Sequence, residues 1–68
     1  MFPVVIIMPD EDVLAARLDT MWAWLDHQHF EPPTFRYTFA SRGILFRVEF
    51  TVEAQAVAFA KSFGGQLL

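Results

Sequence analysis

The residues of this chain that could do chemistry are few, and most of them fall near the ends of elements. His27 and His29, flanked by Asp26 and Glu31, are its two imidazoles. Imidazole beside carboxylate is the raw material of a zinc or copper site. Their spacing argues otherwise. Two residues apart on a helix point about 200° away from each other, so the pair can chelate only if the helix has already ended. A helix C-terminus accounts for both, since imidazoles there meet free carbonyls and the negative end of the dipole. No third or fourth ligand is evident, and no metal site is assigned. Asp10-Glu11-Asp12 suggests a hard-cation loop but lacks the alternating oxygen ligands and the glycine of one. An N-cap with acids in the first turn explains all three.

Nucleophilic catalysis fares no better. Ser41 falls in a turn and Ser62 in a helix, with no strand-to-helix elbow and no histidine at a telling distance. Pro3 invites comparison with small β-α-β tautomerases, which use an N-terminal proline amine as base. Met1 and Phe2 precede it here, so its nitrogen is an amide. The expectation is no catalytic residue and no cofactor.

Composition sets the frame in which these residues must sit. The chain has 68 residues, 54% of them hydrophobic, with eight phenylalanines and no cysteine. One domain spanning 1–68 is the reading, near the lower size limit for a fold held by its core alone. Disulfides and thiolate metal sites are excluded, so packing or oligomerisation must supply stability. A net charge of −3 is opposite to the basic footprint of a nucleic-acid binder. The apolar N-terminal stretch lacks a positive leader and is too short to span a bilayer. A cytoplasmic protein without membrane contact is expected.

Phe2 to Met8 is continuously apolar and rich in β-branched residues, which reads as a central strand ended by Pro9. Asp10 is placed to cap a helix running from about 11 to 28. Leu14, Leu18, Met21, Trp22 and Leu25 form its apolar stripe, with Trp22 expected to be more buried than Trp24. Pro32-Pro33 forbids continuation. Thr34 to Ala40 and Ile44 to Phe50 then alternate strictly, with Phe35, Tyr37, Phe39, Ile44, Phe46, Val48 and Phe50 inward. A two-residue loop at Arg42-Gly43 would set Phe39 opposite Phe46, Tyr37 opposite Val48, Phe35 opposite Phe50 and Arg36 opposite Glu49. Thr51 is expected to cap a second helix with a stripe of Val52, Ala56, Phe59, Ala60 and Phe63, closed by Gly64. Residues 65–68 leave room for a stub of fourth strand.

These elements predict an α+β, two-layer sandwich in the order β-α-β-β-α(-β). Its antiparallel sheet would be ferredoxin-like, with both helices on one face. That order also resembles RNA-recognition motifs, and Arg42-Gly43-Ile44-Leu45-Phe46 looks like the start of their aromatic strand motif. The resemblance implies Ile44 and Phe46 on the open face and Leu45, Arg47 and Glu49 buried. Burying two ions in so small a core costs several kcal/mol each, so the opposite facing is expected and RNA binding is disfavoured. The last third, with Arg47-Val48-Glu49-Phe50, Phe59-Ala60 and Phe63-Gly64-Gly65, resembles a loose set of short uncharacterised α-proteobacterial proteins; it brings no functional residue with it.

The open face carries the functional expectation. On the first strand its members are either Val5 and Ile7 or Val4, Ile6 and Met8, since the run is apolar both ways. In a ferredoxin-like arrangement Val5, Ile7 and Leu45 would form an apolar centre rimmed by Arg36, Arg47 and Glu49, which is how a protein contact surface is built. A homodimer or a protein partner docked there is expected, making the chain a non-enzymatic interaction or self-associating module. A small-ligand-binding regulatory domain is the alternative.

Overall fold

The computed structural model describes residues 1–9, 11–41 and 43–68. Asp10, expected as a helix cap, and Arg42, expected in the hairpin turn, lie outside them, as does the side chain of Glu11. The chain forms an α+β fold with an open, four-stranded antiparallel sheet. Strand β1 (Phe2–Met8) lies between β3 (Gly43–Phe50) and β4 (Gln66–Leu67), and β2 (Thr34–Ala40) pairs with the far side of β3. The strand order is β2-β3-β1-β4. The terminal stub is therefore a strand, with Val4 opposite Leu67 and Val5 opposite Gln66. The Leu68 N–H extends it by donating to the Pro3 carbonyl at 3.0 Å.

The long apolar run of β1 is sorted by the pleat. Val4, Ile6 and Met8 are buried, Val5 is half-buried and Ile7 is exposed. The alternation of β3 is as clean, with Ile44, Phe46, Val48 and Phe50 all buried. Both helices cover this inner face. A single 3-10 turn (Glu11–Val13) leads into α1 (Leu14–Gln28), which adds Met21 and Leu25 to the core, and α2 (Glu53–Phe63) adds Ala56, Phe59, Ala60 and Phe63. Arg17, outside the apolar stripe of α1, ties the two helices together. Its guanidinium donates to the Phe63 carbonyl at 3.2 Å and lies 5.4 Å from the Phe63 ring centre. A cation thus meets the negative end of α2.

The two tryptophans reverse the expected order. Trp22 is exposed and stacks on Phe35 at 4.6 Å. Trp24 is half-buried and meets Phe30, Phe59 and Phe63 edge-on, at 5.6, 5.6 and 5.7 Å. The stripe is wide enough to hold either ring; α2 decides by offering aromatic neighbours to Trp24. The second cap differs too. Val52, in extended conformation, occupies the N-cap of α2 in place of Thr51 and makes no side-chain bond.

The hairpin register is displaced by two residues from the expected one. Ala40 pairs with Gly43, which puts Phe39 opposite Ile44, Tyr37 opposite Phe46, Phe35 opposite Val48 and Arg36 opposite Arg47. A shift of two keeps every side chain on its face. It replaces the expected Arg36–Glu49 pairing with two arginines, and Glu49 pairs instead with Arg47 on its own strand, at 3.8 Å. The cause is Gly43, which belongs to the strand. Its φ is +134°, and a Cβ added there would lie 2.2 Å from the Met8 carbonyl oxygen. Only a residue without a side chain lets β3 enter the sheet this close to the end of β1.

The end of α1 stores some strain. His29 takes the left-handed conformation with φ 61°, the one non-glycine with positive φ among the described residues. Its N–H donates to the Asp26 carbonyl at 3.1 Å and the Phe30 N–H to Leu25 at 2.9 Å, the pattern of a Schellman cap, where glycine is the usual residue. His29→Gly is expected to stabilise the domain by about 0.5–1 kcal/mol. That is a rise of about 2–8 °C in melting temperature, measurable by thermal circular dichroism. An unchanged or lower value would mean that the imidazole makes a contact worth more than the strain.

Candidate interaction surface

The residues with chemical potential do not converge. His27 is exposed in the last turn of α1 and His29 is exposed just beyond it, with Asp26 and Glu31 also on the surface. Among the described residues, no three His, Cys, Asp or Glu side chains come together as metal ligands would. Ser41 lies in the β2–β3 turn and Ser62 on the exposed side of α2. Pro3 sits inside β1, opposite Glu49.

What the fold does bring together is the outer side of the sheet. Cross-strand pairing lays out three rows. Leu45 stands between Thr38 on β2 and Ile7 on β1; Arg47 between Arg36 and Val5; Glu49 between Thr34 and Pro3. The six residues expected to form the face, Val5, Ile7, Arg36, Leu45, Arg47 and Glu49, thus share it. Ile7 is 70% exposed although it lies on a central strand. Val5 and Leu45 are half-buried beside it, Arg36 and Arg47 are exposed, and Glu49 is half-buried. An open depression of about 140 Å³ is lined by Arg36, Tyr37, Thr38, Leu45 and Arg47. The Arg47–Glu49 pair is the one ion pair among the described residues, so Arg36 has no carboxylate partner among them. Two arginines against one glutamate leave this face with a positive surplus, on a chain whose net charge is −3.

Ile44 and Phe46, which the RNA-recognition resemblance would place outward, are fully buried under the helices. The described open-face positions include no aromatic ring on which a base could stack.

A second patch escaped the sequence reading. Tyr37 and Phe39 point to the helix side, as their alternation requires, yet they are 44% and 64% exposed. Trp22 and half-buried Phe35 continue the patch. Alternation predicts facing; it does not predict how far the helical layer reaches. Here that layer reaches β2 only at Phe35, through Trp22, and the outer edge of β2 has no strand partner among the described residues.

No protein-family model, curated protein or solved structure matches the chain. Among the described residues, no helix is long and apolar enough to cross a membrane.

Proposed function

We propose that this domain is a non-enzymatic protein-interaction module of ferredoxin-like build that docks a partner through its open sheet face. The observation that carries the reading is Ile7, a large aliphatic left mostly in water at the centre of a sheet. Burying one such side chain contributes about 1.5–3 kcal/mol. Half-buried Val5 and Leu45 flank it, and a charged rim surrounds them, the anatomy of a contact surface. The ferredoxin-like reading is supported by the order β2-β3-β1-β4, with β1 and β3 central.

Charge selects the kind of partner. The rim is arginine-rich on an acidic chain, and the exposed Arg36 lies opposite Arg47 across the strands. The face suits a protein surface with an apolar centre and an acidic rim. The small-ligand alternative has the same depression in its favour, but about 140 Å³ is below the roughly 300–1,000 Å³ of ordinary ligand pockets.

The test places a photo-reactive residue at position 7 in native cells. One dominant crosslinked protein is expected, lost on Arg36→Glu and on Leu45→Glu. The same probe at Ala15, exposed on α1, serves as control. Ile7→Lys should change folding stability by less than about 0.5 kcal/mol, since the site is exposed. Crosslinking at position 7 that is no stronger than at position 15, or that survives charge reversal of Arg36, removes the reading.

A further inference from the structure

We propose that the free edge of β2 is a self-pairing site, joining two copies of this chain into one continuous eight-stranded sheet. The inference is independent of the partner on the open face. It rests on two observations that meet on one strand. Among the described residues no strand pairs with the outer side of β2 over its seven residues, and an edge of that length, free of proline, is a ready template for pairing. The same strand carries the aromatic row that the helices leave uncovered.

The register follows from the hairpin. Ala40 and Gly43 flank a two-residue connection, which in a tight hairpin makes them a hydrogen-bonded pair. By alternation Thr34, Arg36 and Thr38 also bond to β3. Phe35, Tyr37 and Phe39 then turn their N–H and C=O groups to the free edge. An antiparallel two-fold axis at Tyr37 matches these groups to their copies. It sets Tyr37 opposite itself, Phe35 opposite the second copy's Phe39, and Phe39 opposite its Phe35.

This strand is suited to its own copy in two further ways. On the helix side, the axis lays the exposed Phe39 of one copy beside the Phe35–Trp22 stack of the other, and aromatic cross-strand pairs stabilise a sheet. On the open side it sets Arg36 opposite Thr38 of the second copy, so no two arginines oppose each other across the junction. Area sets the strength. Large aromatic side chains present about 150–250 Å² each, so the uncovered parts of Trp22, Tyr37 and Phe39 from two copies supply roughly 600–700 Å². With the strand backbone and outward side chains the junction approaches about 1,000–1,200 Å², the low end of specific interfaces. A reversible, weak dimer is the expected form, and its open faces stay free for the partner.

Sedimentation velocity of the full chain over a wide concentration range reads this directly. A reversible monomer–dimer equilibrium is expected, its dissociation constant raised at least tenfold by Tyr37→Lys or Phe39→Lys and unmoved by Ile7→Lys. Circular dichroism checks that each variant folds. Because the chain has no cysteine, Tyr37→Cys offers a second reading, with oxidation giving a disulfide-linked dimer at least tenfold faster than Ile7→Cys. A chain that stays monomeric at high concentration overturns the proposal. So does a dimer lost in Ile7→Lys but kept in Tyr37→Lys, which would locate self-association on the open face.

Discussion

Gly43→Ala is expected to remove about 2–6 kcal/mol, a large share of the stability of this domain. The added methyl would meet backbone rather than a movable side chain, at 2.2 Å from the Met8 oxygen and 2.8 Å from the Pro9 Cα. Backbone strain at φ +134° costs about 1–3 kcal/mol for a residue with a side chain. Overpacking adds about 1–3 kcal/mol. A domain of this size has roughly 3–10 kcal/mol in all. Gly64→Ala separates the two causes. Gly64 has φ +69°, but an added Cβ there has nothing within 4 Å, so only strain is incurred, about 1 kcal/mol. Urea denaturation of both variants should place Gly43→Ala at least about 1 kcal/mol below Gly64→Ala. Equal losses would mean that the close approach of β3 to the end of β1 is not a fixed feature of the fold.

Phe59→Ala should cost about 3–5 kcal/mol, the range for emptying a fully buried aromatic site. Phe59 is completely buried and lies where the two helices and the sheet meet. Its ring centre is 4.9 Å from Phe63, 5.4 Å from Phe50 and 5.6 Å from Trp24. Truncation removes a neighbour from three other rings, and rigid aromatic walls collapse poorly into the space. Phe39→Ala is the matched comparison, the same chemistry at an exposed edge position, and should cost the monomer less than about 1 kcal/mol. Comparable losses in dilute solution would show that burial does not rank these phenylalanines.

Facing was legible in the sequence and register was not. The alternation in Thr34–Ala40 and Gly43–Phe50 settles which side chains point inward, and any shift by two residues preserves that answer. Register depends on a partner outside the hairpin. Aromatic and charge matching both favour Arg36 opposite Glu49, yet the fit of Gly43 against Met8, a long-range contact, prevails. The tryptophans follow the same logic, because their ranking is set by α2, far along the chain. On the hairpin the members of the candidate face, Arg36, Leu45, Arg47 and Glu49, follow from alternation, whereas β1 is apolar on both sides and only its burial in the fold separates Val5 and Ile7 from Val4, Ile6 and Met8. The uncovered aromatics on β2 were not, because the lateral reach of a helical layer has no local signature.

The placement of β1 also bears on the order in which the molecule can assemble during synthesis. Its hydrogen-bonding neighbours are β3 and β4, both in the later part of the chain. The ribosome therefore releases β1 before either of its neighbours. At about 5–20 residues per second, β1 spends several seconds without a sheet to join. Such a segment, rich in β-branched residues and carrying no charge, is prone to aggregate while it waits. The β2–β3 hairpin and α2 are local in sequence and can form first, so the emerging chain becomes safe only when β1 inserts into their edge. Cellular yield of this protein should thus respond more to chaperone supply and elongation rate than its size suggests.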